Sequence, residues 1–247
     1  MPVSYDLVAV GDVMLDVHVT AAPPEGTLHE AIRVCAGGSA VNAARAAQRL
    51  GARAAVVGRV GDDPAGVALA DDLRRNGIEA LLEVDTANAT GTVAYVGPGV
   101  VADRGANAGF GPGELPAARV TLVSGYLDTD AVGAALAQAH GVRAVDLQRA
   151  GQSAFDADVV LGPELAVEDF AVHHRVVCST LAERGAIAVS GNERVRVVPE
   201  RILAGSPRGA GDAFAAAFLL ALLDDRPLRE SLERGCAGVL ALYDERG

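Results

Sequence analysis

The stretch Gly209-Ala210-Gly211-Asp212-Ala213-Phe214 opens an apolar run that continues to Leu223, and the reading of the whole chain turns on it. Pro207 and Gly209 disfavour a helix before it, and the Ala- and Leu-rich run favours one after it. The predicted geometry is a loop feeding the N-terminus of a helix. Backbone N–H groups without intrahelical partners, and the positive end of the helix dipole, hold an anion at such a place. The small residues let a phosphate approach the backbone, and Asp212 in the first turn sets a carboxylate beside it. A carboxylate next to an anion hole suits a general base that takes the proton from a hydroxyl attacking a phosphoryl group. The same residues also read as a plain turn with a helix-capping aspartate.

Half of the 247 residues are hydrophobic, enough to bury a full core, so a single domain over residues 1–247 is expected. The net charge of −11 argues against nucleic acid or an anionic membrane as partner. It leaves nucleotides open, because a local anion hole works inside an acidic protein. No apolar run approaches a membrane span, and Met1 to Tyr5 lack the basic start of a signal peptide. Cys35, Cys178 and Cys236 are odd in number and show no metal-ligand spacing, so they read as reduced, largely buried thiols in a cytoplasmic protein. His18, His29, His140, His173 and His174 share no spacing with carboxylates or cysteines, which argues against metal or acid–base work.

Leu7 to Val10 reads as a buried strand ended by Gly11-Asp12. Beyond it, Val13, Leu15, Val17 and Val19 alternate around Asp16; a turn over Thr20 to Gly26 and a return over Leu28 to Cys35 predict a hairpin beside the first strand. Gly37-Gly38 opens a helix that runs through Leu50 and is closed by Gly51. The paired glycines let backbone approach a polyol, and Asn42 offers donors and acceptors to its hydroxyls. A glycine-rich start to a core helix, with Asn42 satisfied internally, is the alternative. Ala54 to Val60 reads as a strand, and Asp62-Asp63-Pro64 as the cap and first position of a helix to Asn76.

Glu79 to Asp85 and Gly91 to Val96 read as strands. So do Val120 to Ser124, Val142 to Asp146, Asp158 to Leu161, Arg175 to Ser179 and Ala186 to Ser190, with Arg194 to Val198 at an edge. Helices are predicted over Asp130 to His140, Ala213 to Leu223 and Leu228 to Tyr243. This alternation predicts βαβ units in a parallel sheet, with ligands gathered at the C-terminal strand ends. Asp12, Asp146, Thr180 and the 209–212 loop all fall at such ends.

Gly209 to Phe214 resembles the C-terminal signature of the ribokinase-like (PfkB) carbohydrate kinases. Gly37, Gly38, Asn42, Ala44, Gly51 and Gly61 occupy the places of that family's N-terminal signature, and the resemblance runs from about Leu7 to Tyr243. It implies a three-layer α/β/α sandwich with a mostly parallel central sheet and a small, reduced β lid made of segments at about 13–35 and 88–107. Thr90 to Val96 and Gly97-Pro98-Gly99 resemble lid strands, and Asp103 to Asn107 the loop that lies near the sugar. By the same resemblance Asp212 is the catalytic base, and Gly209, Ala210 and Gly211 form the anion hole. Asp12, Asp16, Gly37, Gly38, Asn42 and Asn107 would hold the sugar, and Ser179, Thr180, Gly185, Ala237 and Gly238 the nucleotide. ATP and Mg²⁺ are the implied cofactors, and a homodimer through the lid is an expectation.

The chain departs from that pattern in several places. Ser206-Pro207 stand where relatives carry Asp-Thr at a monovalent-cation site, and Ala182 stands where a glycine is usual. Arg208 replaces a small or hydroxylated residue, and its planar guanidinium suits gripping a phosphate. Pro163 and Ala166 take the places of the Asn and Glu that order Mg²⁺, leaving Glu164 or Glu168 as the metal's carboxylate. The chain ends at Gly247, soon after Cys236-Ala237-Gly238, so a clipped adenine pocket is expected. The expected activity is ATP-dependent phosphorylation of a hydroxymethyl group on a small sugar or related polyol. A non-catalytic sugar- or nucleotide-binding module on the same scaffold, and a nucleoside kinase, are the alternatives.

Overall fold

The computed structural model describes residues 5–19, 32–148, 155–201, 203 and 208–246. Strand β1 (Tyr5–Val10) is followed by β2 (Met14–Val19), β3 (Ile32–Gly37), helix α1 (Ser39–Arg49), β4 (Ala54–Gly61) and α2 (Pro64–Arg75). Next come β5 (Glu79–Asp85), β6 (Thr92–Val96), β7 (Gly99–Asp103), a single 3-10 turn (Gly105–Asn107), β8 (Ala118–Ser124) and α3 (Thr129–Gln138). The remainder is β9 (Val142–Asp146), β10 (Val159–Pro163), α4 (Val167–Ala171), β11 (Val176–Thr180), β12 (Ala186–Ser190), β13 (Glu193–Val197), α5 (Ala210–Leu223) and α6 (Leu228–Arg246).

Nine strands form one sheet in the order β13-β12-β11-β10-β9-β8-β1-β4-β5. It is parallel except for β12, which runs against both of its neighbours. Period-two alternation explains the three layers. Leu7 and Ala9 of β1 enter the core beneath α1, α5 and α6, while Val8 and Val10 enter the core beneath α3 and α4. A strand covered on both faces reads as a continuous apolar run, as 7–10 does. Helix α5 is apolar almost all round because it packs against α1, α6 and the sheet together.

The expected hairpin forms, but not beside β1. β2 and β3 join β6 and β7 in a separate four-stranded sheet, ordered β3-β2-β6-β7, which is the lid. Residues 99–103, expected as a short connection, are themselves a lid strand that returns along β6 through a tight turn at Gly97. The lid is therefore a small sheet of four strands. The predicted turn at 20–26 and the first residues of the returning strand lie outside the described residues, as does Ser206-Pro207. Short helix α4 was not anticipated from the sequence.

Asp63 caps α2 as expected, accepting from Gly66 N at 2.8 Å. It also accepts from Thr90 N and Thr90 Oγ1, each at 2.7 Å, so Asp63 ties a helix start to the segment entering the lid. No helix among the described residues is long and apolar enough to cross a membrane.

Candidate active site

Gly209 is the residue before α5, and its φ of 75° lies in the left-handed region that side chains disfavour. A side chain there would also press on Asn42, whose Cγ and Nδ2 lie 3.0 Å from where a Cβ would sit. The helix begins at Ala210, three residues before the expected start, so the N–H groups of Ala210, Gly211 and Asp212 occupy the first positions, which have no intrahelical acceptor. A Cβ on Gly211 would meet nothing within 4 Å, and the space above that backbone is open. Asp212 stands at its edge, and its Oδ2 accepts from Asn42 Nδ2 at 3.0 Å. Asn42 was expected as a sugar contact; its amide also positions the aspartate.

Burial, with repulsion from Asp146 as the smaller cause, raises the Asp212 carboxyl to about 8, against the lowering effect of the Asn42 bond. Asp146 ends β9 and is 8% exposed. Burial raises it to about 7, against a hydrogen bond donated by Gln148 Nε2 at 3.0 Å. The two carboxyls interact, so they titrate as a pair. Sequence reading placed Asp146 at a strand end but assigned it no role; parallel pairing of β9 with β8 and β10 is what carries it to Asp212.

A cavity of about 650 Å³ opens beside Gly211, bounded by the ends of β9, β10 and β11, by the 182–185 turn, and by α5 and α6. Its walls include Thr180, Ala182 and Gly185, and its apolar part is Leu203, Phe214, Val239 and Leu240. Asp146 and Gln148 line both this cavity and the narrow gap that reaches Asp212. Ser179 lies behind Thr180, 1% exposed, with its hydroxyl lacking a protein partner.

Ala237 and Gly238 do not wall the cavity. Cys236, Val239 and Leu240 do, because positions i, i+3 and i+4 share one helix face. Gly238 serves packing: a Cβ there would come within 3.0 Å of the Ala213 carbonyl and the Ala217 side chain on α5. Ala182 has a φ of 51°, the physical reason for a glycine at that place. Glu164 sits at the cavity mouth, largely exposed, and pairs with Arg184 at 2.8 Å.

At the other end, Gly38 caps α1 with a φ of 94°, and a side chain there would strike the Asp12 carbonyl. The bare backbone of Gly37 makes room for the Asp16 carboxylate, which lies against it. Asp12 is buried and raised by that burial, which Arg104 partly offsets with a 3.0 Å bond from Nη2 to Oδ1. Arg104 was quoted within the lid loop but given no role, and sequence distance hid its partner. Asn107 is fully buried. Its amide accepts from Val13 N at 2.9 Å and donates to Val13 O at 3.0 Å and Arg104 O at 3.1 Å. Those bonds to the main chain let Asn107 fasten the loop below the lid.

Arg208, expected to grip a phosphate, lies against the lid. Its guanidinium carbon lies 3.1 Å from the ring centre of Tyr95 on β6, and Tyr95 in turn stacks on His18 of β2. The glycine loop and the lid therefore meet. His18 also lies beside Asp16 and Cys35, against the expectation that no histidine joins carboxylates or cysteines. Of the three thiols only Cys178 is buried; Cys35 and Cys236 keep partial exposure.

A mostly parallel α/β sheet with a separate β lid, and an aspartate beside a helix N-terminus at the strand ends, defines a phosphotransferase of the ribokinase fold. The sequence matches the family described as pfkB family carbohydrate kinase over residues 4–156 and 163–241, and the chain belongs to that family of ATP-dependent kinases. It is 26% identical over 261 residues to a ribokinase of Bacillus subtilis (strain 168), covering 92% of this chain and 89% of that one. The fold is shared with an adenosine kinase from Sinorhizobium meliloti, at a TM-score of 0.76 and 23% identity over 95% of this chain and 92% of that one. It is shared equally with a ribokinase from Thermotoga maritima, at 0.75 and 18% over 95% and 92%.

Proposed function

We propose that the chain transfers the γ-phosphate of ATP to a hydroxymethyl group of a small sugar or related polyol. The observation that carries this reading is Asp212, held by Asn42 at the N-terminus of α5 beside the open face of Gly211. Asp212 takes the proton of the acceptor hydroxyl, and the N–H groups of Ala210, Gly211 and Asp212 accept the charge that gathers on the transferred group. The apolar wall of Leu203, Phe214, Val239 and Leu240 suits a purine, with Thr180 and Gly185 at its edge and the Ser179 hydroxyl behind them. Asp16 and the backbone of Gly37 and Gly38 hold the acceptor under the lid, and Asp12 with Arg104 fixes the floor. Closure of the lid excludes water from the phosphoryl group.

The residues present also fit Mg²⁺. Asp146 is a buried carboxyl raised by its surroundings, next to a second carboxyl, and a cation there relieves both. Asp146, with Glu164 at the cavity mouth, would hold the ion, which supplies charge neutralisation on the phosphates.

ADP release from ATP and Mg²⁺, measured against a panel of pentoses, hexoses, polyols and nucleosides, tests the assignment. Turnover with a sugar or polyol supports it. Turnover with nucleosides alone replaces the acceptor, and tight ATP binding without any turnover makes the chain a binding module.

The lid face opposite Asp16 carries Ile32, Val34 and Val101, each more than half exposed, which supports pairing of two lids in a homodimer. A monomer mass in solution at micromolar concentration would exclude that pairing.

A further inference from the structure

Two side chains of β2 and one of β3 meet on the inner face of the lid. Asp16 and His18 alternate with Val17 along β2, so they share a face, and the antiparallel register sets Cys35 of β3 opposite Asp16. One ligating atom from each lies within 4.8 Å of the other two. Tyr95 stacks on His18 with ring centres 4.7 Å apart, and Arg208 lies over Tyr95, so this face is the one that meets the glycine loop. All three ligands are partly buried, accessible to an ion yet shielded from bulk water.

We propose that Asp16, His18 and Cys35 bind a borderline-soft divalent cation, best matched by Zn²⁺, and that this cation and the sugar compete for Asp16. One thiolate, one imidazole and one carboxylate make a zinc donor set with a fourth position open. Zinc bonds of about 2.0–2.3 Å place tetrahedral ligands about 3.5 Å apart, so side-chain rotations of about an ångström close the present spacing. Mg²⁺ and Ca²⁺ take oxygen ligands and leave the sulfur and imidazole unused. Binding releases the Cys35 proton to solvent, and carboxylate and thiolate together then offset the ion's charge. Arg33, opposite His18, and Arg208 are the bordering cations, and they weaken the site relative to the same three ligands alone. The site itself does not depend on the kinase reading; the competition rests on the placement of Asp16 against the sugar.

Titration of the full chain with Co²⁺ under reducing conditions tests the site without any turnover. A near-ultraviolet thiolate-to-cobalt band that saturates at one equivalent and is displaced by Zn²⁺ is expected. Cys35→Ser removes the band, His18→Gln weakens binding about tenfold or more, and Cys236→Ser leaves both unchanged. A missing band, or one that survives Cys35→Ser, overturns the site. For the competition, Zn²⁺ should raise the KM for whichever sugar the panel identifies, leaving the KM for ATP unmoved, and Cys35→Ser should lose the effect. Cobalt binding with an unchanged sugar KM overturns the competition and the sugar placement of Asp16, while the metal site stands.

Discussion

Asn42 Nδ2 donates to Asp212 Oδ2 at 3.0 Å, joining the first turn of α1 to the first turn of α5 across 170 residues of chain. The bond favours the ionised carboxylate and fixes which oxygen faces the open space above Gly211. Asp212→Asn should keep the fold and ATP affinity while lowering kcat by about two to four orders of magnitude. Asn42→Ala should lower kcat less and move the rising limb of the pH profile to higher pH, because it removes the one contact that lowers the Asp212 carboxyl. Steady-state kinetics on both variants decide; near wild-type turnover by Asp212→Asn would refute the general base.

The pH profile follows from the two raised carboxyls. A base must be ionised, so kcat should rise through the region of about 7 to 8 set by Asp146 and Asp212 as a pair. Asp146→Asn removes the repulsion on Asp212, and the limb should move to lower pH even as the maximal rate falls. A limb that stays in place in that variant would separate the two groups.

Stability should change with pH in the opposite sense from most carboxylates. Asp146 is raised from 3.8 to about 7 in the folded chain, so its favourable contribution is complete below about pH 4 and lost as pH rises through 7. The rise corresponds to at most about 4 kcal/mol. Asp146→Asn should therefore gain stability over the parent at pH 8 and little at pH 4, as denaturant titrations at the two values would show. An equal difference at both contradicts the burial of an ionising group.

Gly211→Val should weaken ATP binding by about a hundredfold or more in a folded protein. The structure leaves open space where the Cβ would point, so the cost falls on the ligand that needs the space and not on the fold. Calorimetry of ATP binding alongside a melting curve tells the two apart, and unchanged affinity places the phosphates elsewhere.

Ala182→Gly should stabilise the chain by about 1 kcal/mol, since Ala182 holds a φ of 51° that costs an L side chain about that much. A loss of stability in that variant would mean that the alanine methyl packs against the cavity wall more than the backbone is strained.

Much of the site was legible because its signals are local. A left-handed glycine, a helix start and an aspartate in the first turn are properties of six consecutive residues, and Asp63 and Pro64 announce α2 in the same way. The central strands were legible for a related reason: burial on both faces leaves an unbroken apolar run. The lid was misread where the sequence lacks such a signal. Strand β7 carries two adjacent valines but is wholly exposed, and only its pairing with β6 marks it as a strand.

The sequence alone therefore determined the layer order, the start of α5 after the glycine loop and the placing of Asp212 in its first turn, because periodicity and turn chemistry act within a few residues. Only the tertiary structure decided which groups answer one another. Asn42 serves Asp212, Arg104 serves Asp12, Asn107 serves the main chain of Val13, and Asp146 joins Asp212. The face of α6 that walls the cavity, and the meeting of Asp16, His18 and Cys35, belong to the same class. Each of these depends on sheet order, register or helix phase, and contacts between residues tens of positions apart are set by how elements pack and not by their own composition.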